Sequence, residues 1–189
     1  VNVLSNSTIL VAGRLIIDGQ ISGTGKLTLD AAVPGFTAEC SLTGTTANTL
    51  SGTVQLREGL LTLDKPSLVD AINGPLIIGN GSGAATNATV RYGAIGDQMR
   101  GIDVTVQSDG TLDLNGRSEF INSLTMIGGV VTNSPTSGFL EVESLFNDDF
   151  RITSAGSTPA RIYGRLSLGN TSPYFWVTNG PRSEEHTSE

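Results

Sequence analysis

The chain has 189 residues and a formal net charge of −7, and its 11 basic residues stand singly along the sequence. Without a basic patch it lacks the cationic footprint that releases counterions from DNA or RNA or that docks on an anionic membrane, which argues against both partners. Its 24 glycines, and the Thr, Val, Ile and Leu of its apolar segments, argue against a helical globule: glycine loses the most backbone freedom in a helix, and β-branched residues pack best on a pleated sheet.

No apolar run approaches the ~20 residues of a membrane helix. The best stretch is Thr8-Ile9-Leu10-Val11-Ala12, so this segment is not expected to insert in a membrane. The chain starts at Val1 with no signal peptide; for an exported protein the expectation is a fragment whose targeting segment lies upstream.

In chain order, one unit recurs: a glycine, apolar residues alternating with polar ones, then Asp, Asn or Gly. It reads Gly13-Arg14-Leu15-Ile16-Ile17-Asp18, Gly25-Lys26-Leu27-Thr28-Leu29-Asp30 and Gly59-Leu60-Leu61-Thr62-Leu63-Asp64. It returns as Gly110-Thr111-Leu112-Asp113-Leu114-Asn115 and Gly164-Arg165-Leu166-Ser167-Leu168-Gly169. Weaker strands are expected at 53–56, 76–78, 89–92, 103–106, 124–126, 140–142, 151–153 and 175–177. A helical turn is expected only near 67–72, and residues 80–87 and 133–138 read as loops.

Residues two apart share a strand face. Leu27, Leu29, Leu61, Leu63, Leu112, Leu114, Leu166 and Leu168 are therefore expected inside, and Thr28, Thr62, Asp113 and Ser167 at the solvent. The flanking Gly, Asp and Asn suit sharp bends. A β-sandwich also uses short strands but does not repeat one strand motif. A solenoid must repeat, because each coil buries its inward face only against its neighbours. The expected fold is all-β, a right-handed parallel β-helix (β-solenoid) truncated at both ends, over residues 1–181.

The run Ile21-Ser22-Gly23-Thr24-Gly25-Lys26-Leu27-Thr28-Leu29, then Asn48-Thr49-Leu50-Ser51-Gly52-Thr53-Val54 and Glu58-Gly59-Leu60-Leu61-Thr62-Leu63, resembles the autotransporter-associated β-strand repeat. The match covers about residues 21–64, with Leu50 in place of the usual aromatic and a longer, less regular spacer at 31–42. The resemblance implies a bacterial passenger-type β-helix, exported and held at the cell surface or outer membrane or released. It implies a scaffold with no catalytic residues, stacked on its own upstream and downstream repeats. The tail Arg182-Ser183-Glu184-Glu185-His186-Thr187-Ser188-Glu189 resembles the translation of a common sequencing adapter and is expected to be an artefactual, disordered appendage.

Several groups invite chemistry. Outside the tail, Asn147-Asp148-Asp149 holds the one close carboxylate pair, which could act as acid and base on a polysaccharide; the chain's single histidine falls in the tail, and a solvated turn is the plainer reading. Asp18, Asp30, Asp64, Asp109 and Asp113 end or interrupt strands singly, as turns ask, whereas calcium needs six to eight converging oxygens. A calcium site built from stacked aspartates of successive coils is the rival reading. Gly79-Asn80-Gly81-Ser82-Gly83 lacks the Lys-Ser/Thr and the helix of a phosphate loop and reads as a flexible corner. Cys40 reads as a small buried hydrophobe. Tyr174 and Trp176 fill a last coil or, facing outward, contact a carbohydrate or protein ligand.

No catalytic, cofactor or metal residue is assigned. The expected function is a scaffold or adhesin-like passenger segment, not an enzyme; the alternative is a polysaccharide lyase or hydrolase on the same fold.

Overall fold

The computed structural model describes residues 1–33, 38–84, 86–142, 150–153, 158–167 and 175–178, with 150–153 and 175–178 described by backbone alone. Among these residues there is no helix, and hence none long and apolar enough to cross a membrane. Every paired strand runs parallel to its neighbour.

The strands stack in three rows. The first row holds β2 (Ser7–Val11), β5 (Leu27–Ala31), β8 (Val54–Leu56) and β10 (Leu76–Ile78); the second holds β3 (Arg14–Ile17), β6 (Glu39–Leu42), β9 (Gly59–Leu63) and β11 (Ala88–Tyr92). Two long strands, β12 (Asp103–Asp113) and β14 (Ser123–Thr132), join these rows into one 13-stranded sheet, since their first halves continue one row and their second halves the other. β16 (Phe150–Thr153) and β19 (Phe175–Thr178) extend the first row, and β17 (Arg161–Tyr163) the second. The third row is interrupted. β1 (Asn2–Val3), β4 (Ser22–Gly23) and β7 (Thr49–Leu50) form one three-stranded sheet, and β13 (Glu119–Ile121), β15 (Leu140–Val142) and β18 (Leu166–Ser167) form another. Successive strands visit the rows in turn, so the chain winds in coils of about 20–30 residues, a period typical of stacked repeats, and the whole is solenoid-like.

Register explains the repetition. Leu27 pairs with Val54, Val54 with Leu76, Leu76 with Val104 and Val104 with Leu124. A parallel ladder runs from Leu29 through Leu56, Ile78 and Val106 to Met126. In the second row Cys40, Leu61, Val90, Leu112 and Val131 stack the same way. All these side chains are buried. Apolar side chains at every other position thus meet like neighbours in the coils on either side, and one continuous core results. Corners must be thin for coils to approach this closely: a Cβ on Gly52 would meet Gly25 O at 2.1 Å, and one on Gly74 would meet Gly52 O at 2.3 Å.

The expected inward leucines Leu27, Leu29, Leu61, Leu63, Leu112 and Leu114 are buried; Leu166 is half-buried against the core, and Leu168 lies outside the described residues. Thr28, Thr62, Asp113 and Ser167 are half-buried, not exposed as the alternation alone predicts. Parallel neighbours lie about 4.8 Å away on each side, so outward side chains cover one another: Thr28 sits between Thr8 and Gln55, Thr62 between Ser41 and Arg91. The helical turn expected near 67–72 is a tight turn instead, in which Val69 N–H donates to Pro66 O at 3.1 Å and Leu68 takes a φ of 63°. Residues 80–84, 86–87 and 133–138 connect strands as expected.

Candidate functional site

The interior is apolar except along the seam where the third row is interrupted and at one corner between the first and second rows. Strands of that row are two or three residues long, and among the described residues the row has no strand between β7 and β13. Backbone groups there still need partners once buried. Some pair directly, as the Ala71 and Ile72 N–H groups do with Gln98 O, and side chains supply partners for others.

Asn48 is buried and behaves as an extra peptide unit: its Oδ1 accepts from Ile21 N–H at 2.8 Å, and its Nδ2 donates to Ala71 O at 2.7 Å. Gln98, fully buried, pairs its amide with both backbone groups of Lys65. Lys65 N–H donates to Gln98 Oε1 at 3.0 Å, and Gln98 Nε2 donates to Lys65 O at 2.8 Å. Lys65 reaches back one coil, where Nζ donates to Thr43 O at 2.6 Å and Thr46 O at 2.9 Å. Burial pulls its ammonium below the usual lysine range, while nearby Asp18 pulls the other way.

Glu119 closes the seam from the next coil. Its Oε2 accepts from Gln98 N–H at 2.6 Å, Met99 N–H at 3.1 Å and the Tyr92 hydroxyl at 2.5 Å, while its Oε1 accepts from Phe120 N–H at 2.9 Å. The side chain is 1% exposed. Burial pushes its carboxyl above the ordinary range, outweighing the hydrogen bonds that favour the carboxylate. Burial, then the adjacent Glu119, push the Tyr92 phenol well above its usual value.

A second polar centre sits at the corner between the first and second rows, where β12 bulges between Ser108 and Thr111. Asp109 is turned inside there and accepts the backbone N–H groups of Asn80 and Gly81. The loop read as a flexible corner is therefore tied down at its first residues by the neighbouring coil's carboxylate. Among the described residues, Thr111 Oγ1 is the one buried side-chain polar atom without a partner.

The aspartates weighed for calcium do not converge. Asp18 accepts from Thr43 Oγ1, Asp30 pairs with Arg57 at 3.2 Å, Asp64 accepts from Ala94 N–H and Asp113 pairs with Arg91 at 3.2 Å. Parallel stacking spreads them along the axis, and each is used in a turn or an ion pair between coils. Among the described residues no three His, Cys, Asp or Glu side chains gather. Cys40 is buried, and burial pushes its thiol up to about 11. Asn147, Asp148, Asp149, Tyr174 and the tail 182–189 lie outside the described residues; Trp176 is placed by backbone on β19, in register with Arg151 and, one coil before, Thr125.

Asn48, Lys65, Gln98 and Glu119 were not singled out by sequence reasoning. One signal was available: Glu119 shares strand parity with Ile121, which marks it as inward in a strand of this kind.

No family model, curated protein or solved structure was found to match this chain.

Proposed function

We propose that this chain is a structural segment: a right-handed parallel β-helix serving as scaffold or adhesin-like passenger of a bacterial protein exported to the cell surface or beyond, and not an enzyme. The observation that carries this reading is the use made of its polar groups. Buried polar side chains are spent on bonds between coils, as with Asn48, Gln98 and Glu119, and three ion pairs link residues of adjacent coils: Arg57–Asp30, Arg91–Asp113 and Arg100–Asp70. Groups engaged in holding coils together suit a body that bears load and presents its loops to a carbohydrate or protein ligand. Residues 1–181 form that segment on this reading, and 182–189 are an appendage.

The purified chain, incubated with pectin, glucan and peptide substrates, is expected to give no cleavage products. Turnover that disappears in Asp148→Asn or Asp149→Asn overturns the structural reading in favour of a carbohydrate-active enzyme. Deleting residues 182–189 is expected to leave the melting temperature unchanged, because a tail without large apolar side chains cannot offset its ordering entropy.

A further inference from the structure

Four Asn-Gly pairs occur in the chain, and three lie among the described residues: Asn73-Gly74, Asn80-Gly81 and Asn115-Gly116. The pair has a chemistry of its own. Glycine leaves its nitrogen unshielded, so that nitrogen can attack the carboxamide carbon of the asparagine before it, a thermolabile residue. Both partners must be loose for this: the nitrogen gives up its proton, and the side chain swings over its own backbone.

The fold treats the three pairs differently. At Asn80 the Gly81 N–H donates to Asp109 Oδ1 at 2.8 Å, and Asn80 Oδ1 accepts from Ser82 N–H at 2.8 Å. At Asn115 the Gly116 N–H donates to Asn133 Oδ1 at 2.8 Å. The Asn115 carboxamide accepts from Arg91 at 3.3 Å and donates to Tyr92 O at 3.0 Å. Nucleophile and electrophile are thus both held at these two pairs. Asn73, on the connection just before β10, is exposed. Neither its carboxamide nor the Gly74 N–H has a hydrogen-bond partner among the described residues. Exposure alone does not separate the pairs, since Asn115 is exposed too.

We propose that Asn73 is a self-modification site, where the chain converts its own side-chain amide to an acid while hydrogen bonds keep Asn80 and Asn115 intact. The Gly74 nitrogen bonds to Asn73 Cγ, the Cγ–Nδ2 bond breaks, and the Gly74 amide proton leaves with Nδ2 as ammonia. Water then opens the cyclic imide. Opening at Cγ gives aspartate; opening at the Asn73 main-chain carbonyl gives isoaspartate, whose backbone runs through Cβ and is one carbon longer. A Cβ on Gly74 would meet Gly52 O at 2.3 Å, so the longer backbone is expected to loosen this coil from the one before it.

Peptide mass mapping of the full chain, aged folded at pH 8 and body temperature, tests this, with fragmentation to place each site. The mass gain of an amide-to-acid change is expected to accumulate at Asn73 several-fold faster than at Asn80 or Asn115, together with isoaspartate-specific methyl labelling. In denaturant, where no fold holds any pair, the three rates are expected to converge. Asp109→Ala frees the Gly81 amide and is expected to raise the rate at Asn80 several-fold; Asn133→Ala, which frees Gly116, serves if that variant does not fold. Asn80 or Asn115 reacting as fast as Asn73 in the folded chain overturns the proposal. So does an Asn73 that stays intact when folded yet reacts in denaturant, or a freed glycine amide that leaves its asparagine no more labile.

Discussion

Gly81 donates its backbone N–H to Oδ1 of Asp109 at 2.8 Å, across the gap between two successive coils. The glycine loop thus uses its amides as a phosphate loop would, but on a carboxylate of the same chain. A Cβ on Gly79 would lie 2.3 Å from Asp109 Oδ1, and the φ of +90° there disfavours any side chain. Asp109→Ala leaves the Asn80 and Gly81 amides without this acceptor and is expected to cost about 1–3 kcal/mol. Urea unfolding measures the loss, and limited proteolysis at 80–87 should accelerate with it. A variant as stable and as resistant as the parent would show the bond to be dispensable.

Asn48 tests the idea that side chains replace peptide groups in the third row. Asn48→Leu keeps the volume but strands Ile21 N–H and Ala71 O inside. Two buried groups without partners cost about 2–5 kcal/mol together. The midpoint of denaturation should drop accordingly, whereas an unchanged midpoint would mean that water reaches both groups.

The ladders carry a contrast within one residue type. Leu61 is 0% exposed between Cys40 and Val90, while Leu10 is 63% exposed on the outer side of β2. Leu61→Ala is expected to destabilise by about 2–5 kcal/mol, since a cavity opens in a core that cannot collapse around it. Leu10→Ala should stay within about 0.5 kcal/mol. Equal effects in thermal melts would contradict the assigned faces.

Cys40 provides a probe of the folded state. Its thiol is enclosed in the second-row ladder and pushed up to about 11, so almost none is thiolate at neutral pH. A thiol reagent at pH 7.5 should label it only as fast as the chain opens, and at once in denaturant. Rapid labelling of the native chain would show that the first coils are open.

Much of the fold was legible as sequence. The alternation of apolar with polar residues in the repeated units marks strands, because a period of two survives even in five residues, as in Leu27–Ala31 and Gly59–Leu63. The third row was legible only in part: β15 was expected at 140–142 and β18 lies within a repeated unit, but the strands of its first half were not legible. Those strands, such as Ser22–Gly23 and Thr49–Leu50, are too short for any period, and their stacking shows only in the paired coordinates. β6 was passed over as an irregular spacer for a related reason: Glu39, Cys40, Ser41 and Leu42 alternate, but without the leucine pair that marks the other units.

By itself the sequence determined that the chain is made of strands, which of its leucines face inward, and that the units must stack, since one coil cannot bury its own inner face. Only the tertiary structure decided what the polar residues do. Lys65 and Gln98 lie 33 positions apart and share no local pattern, yet each completes the other's hydrogen bonds. Parallel stacking makes such pairs: it brings each residue against positions a whole coil away, and the coil length varies with every loop. Alternation is local and can be read along the chain, whereas partnership between coils depends on register, which exists only once the coils are stacked.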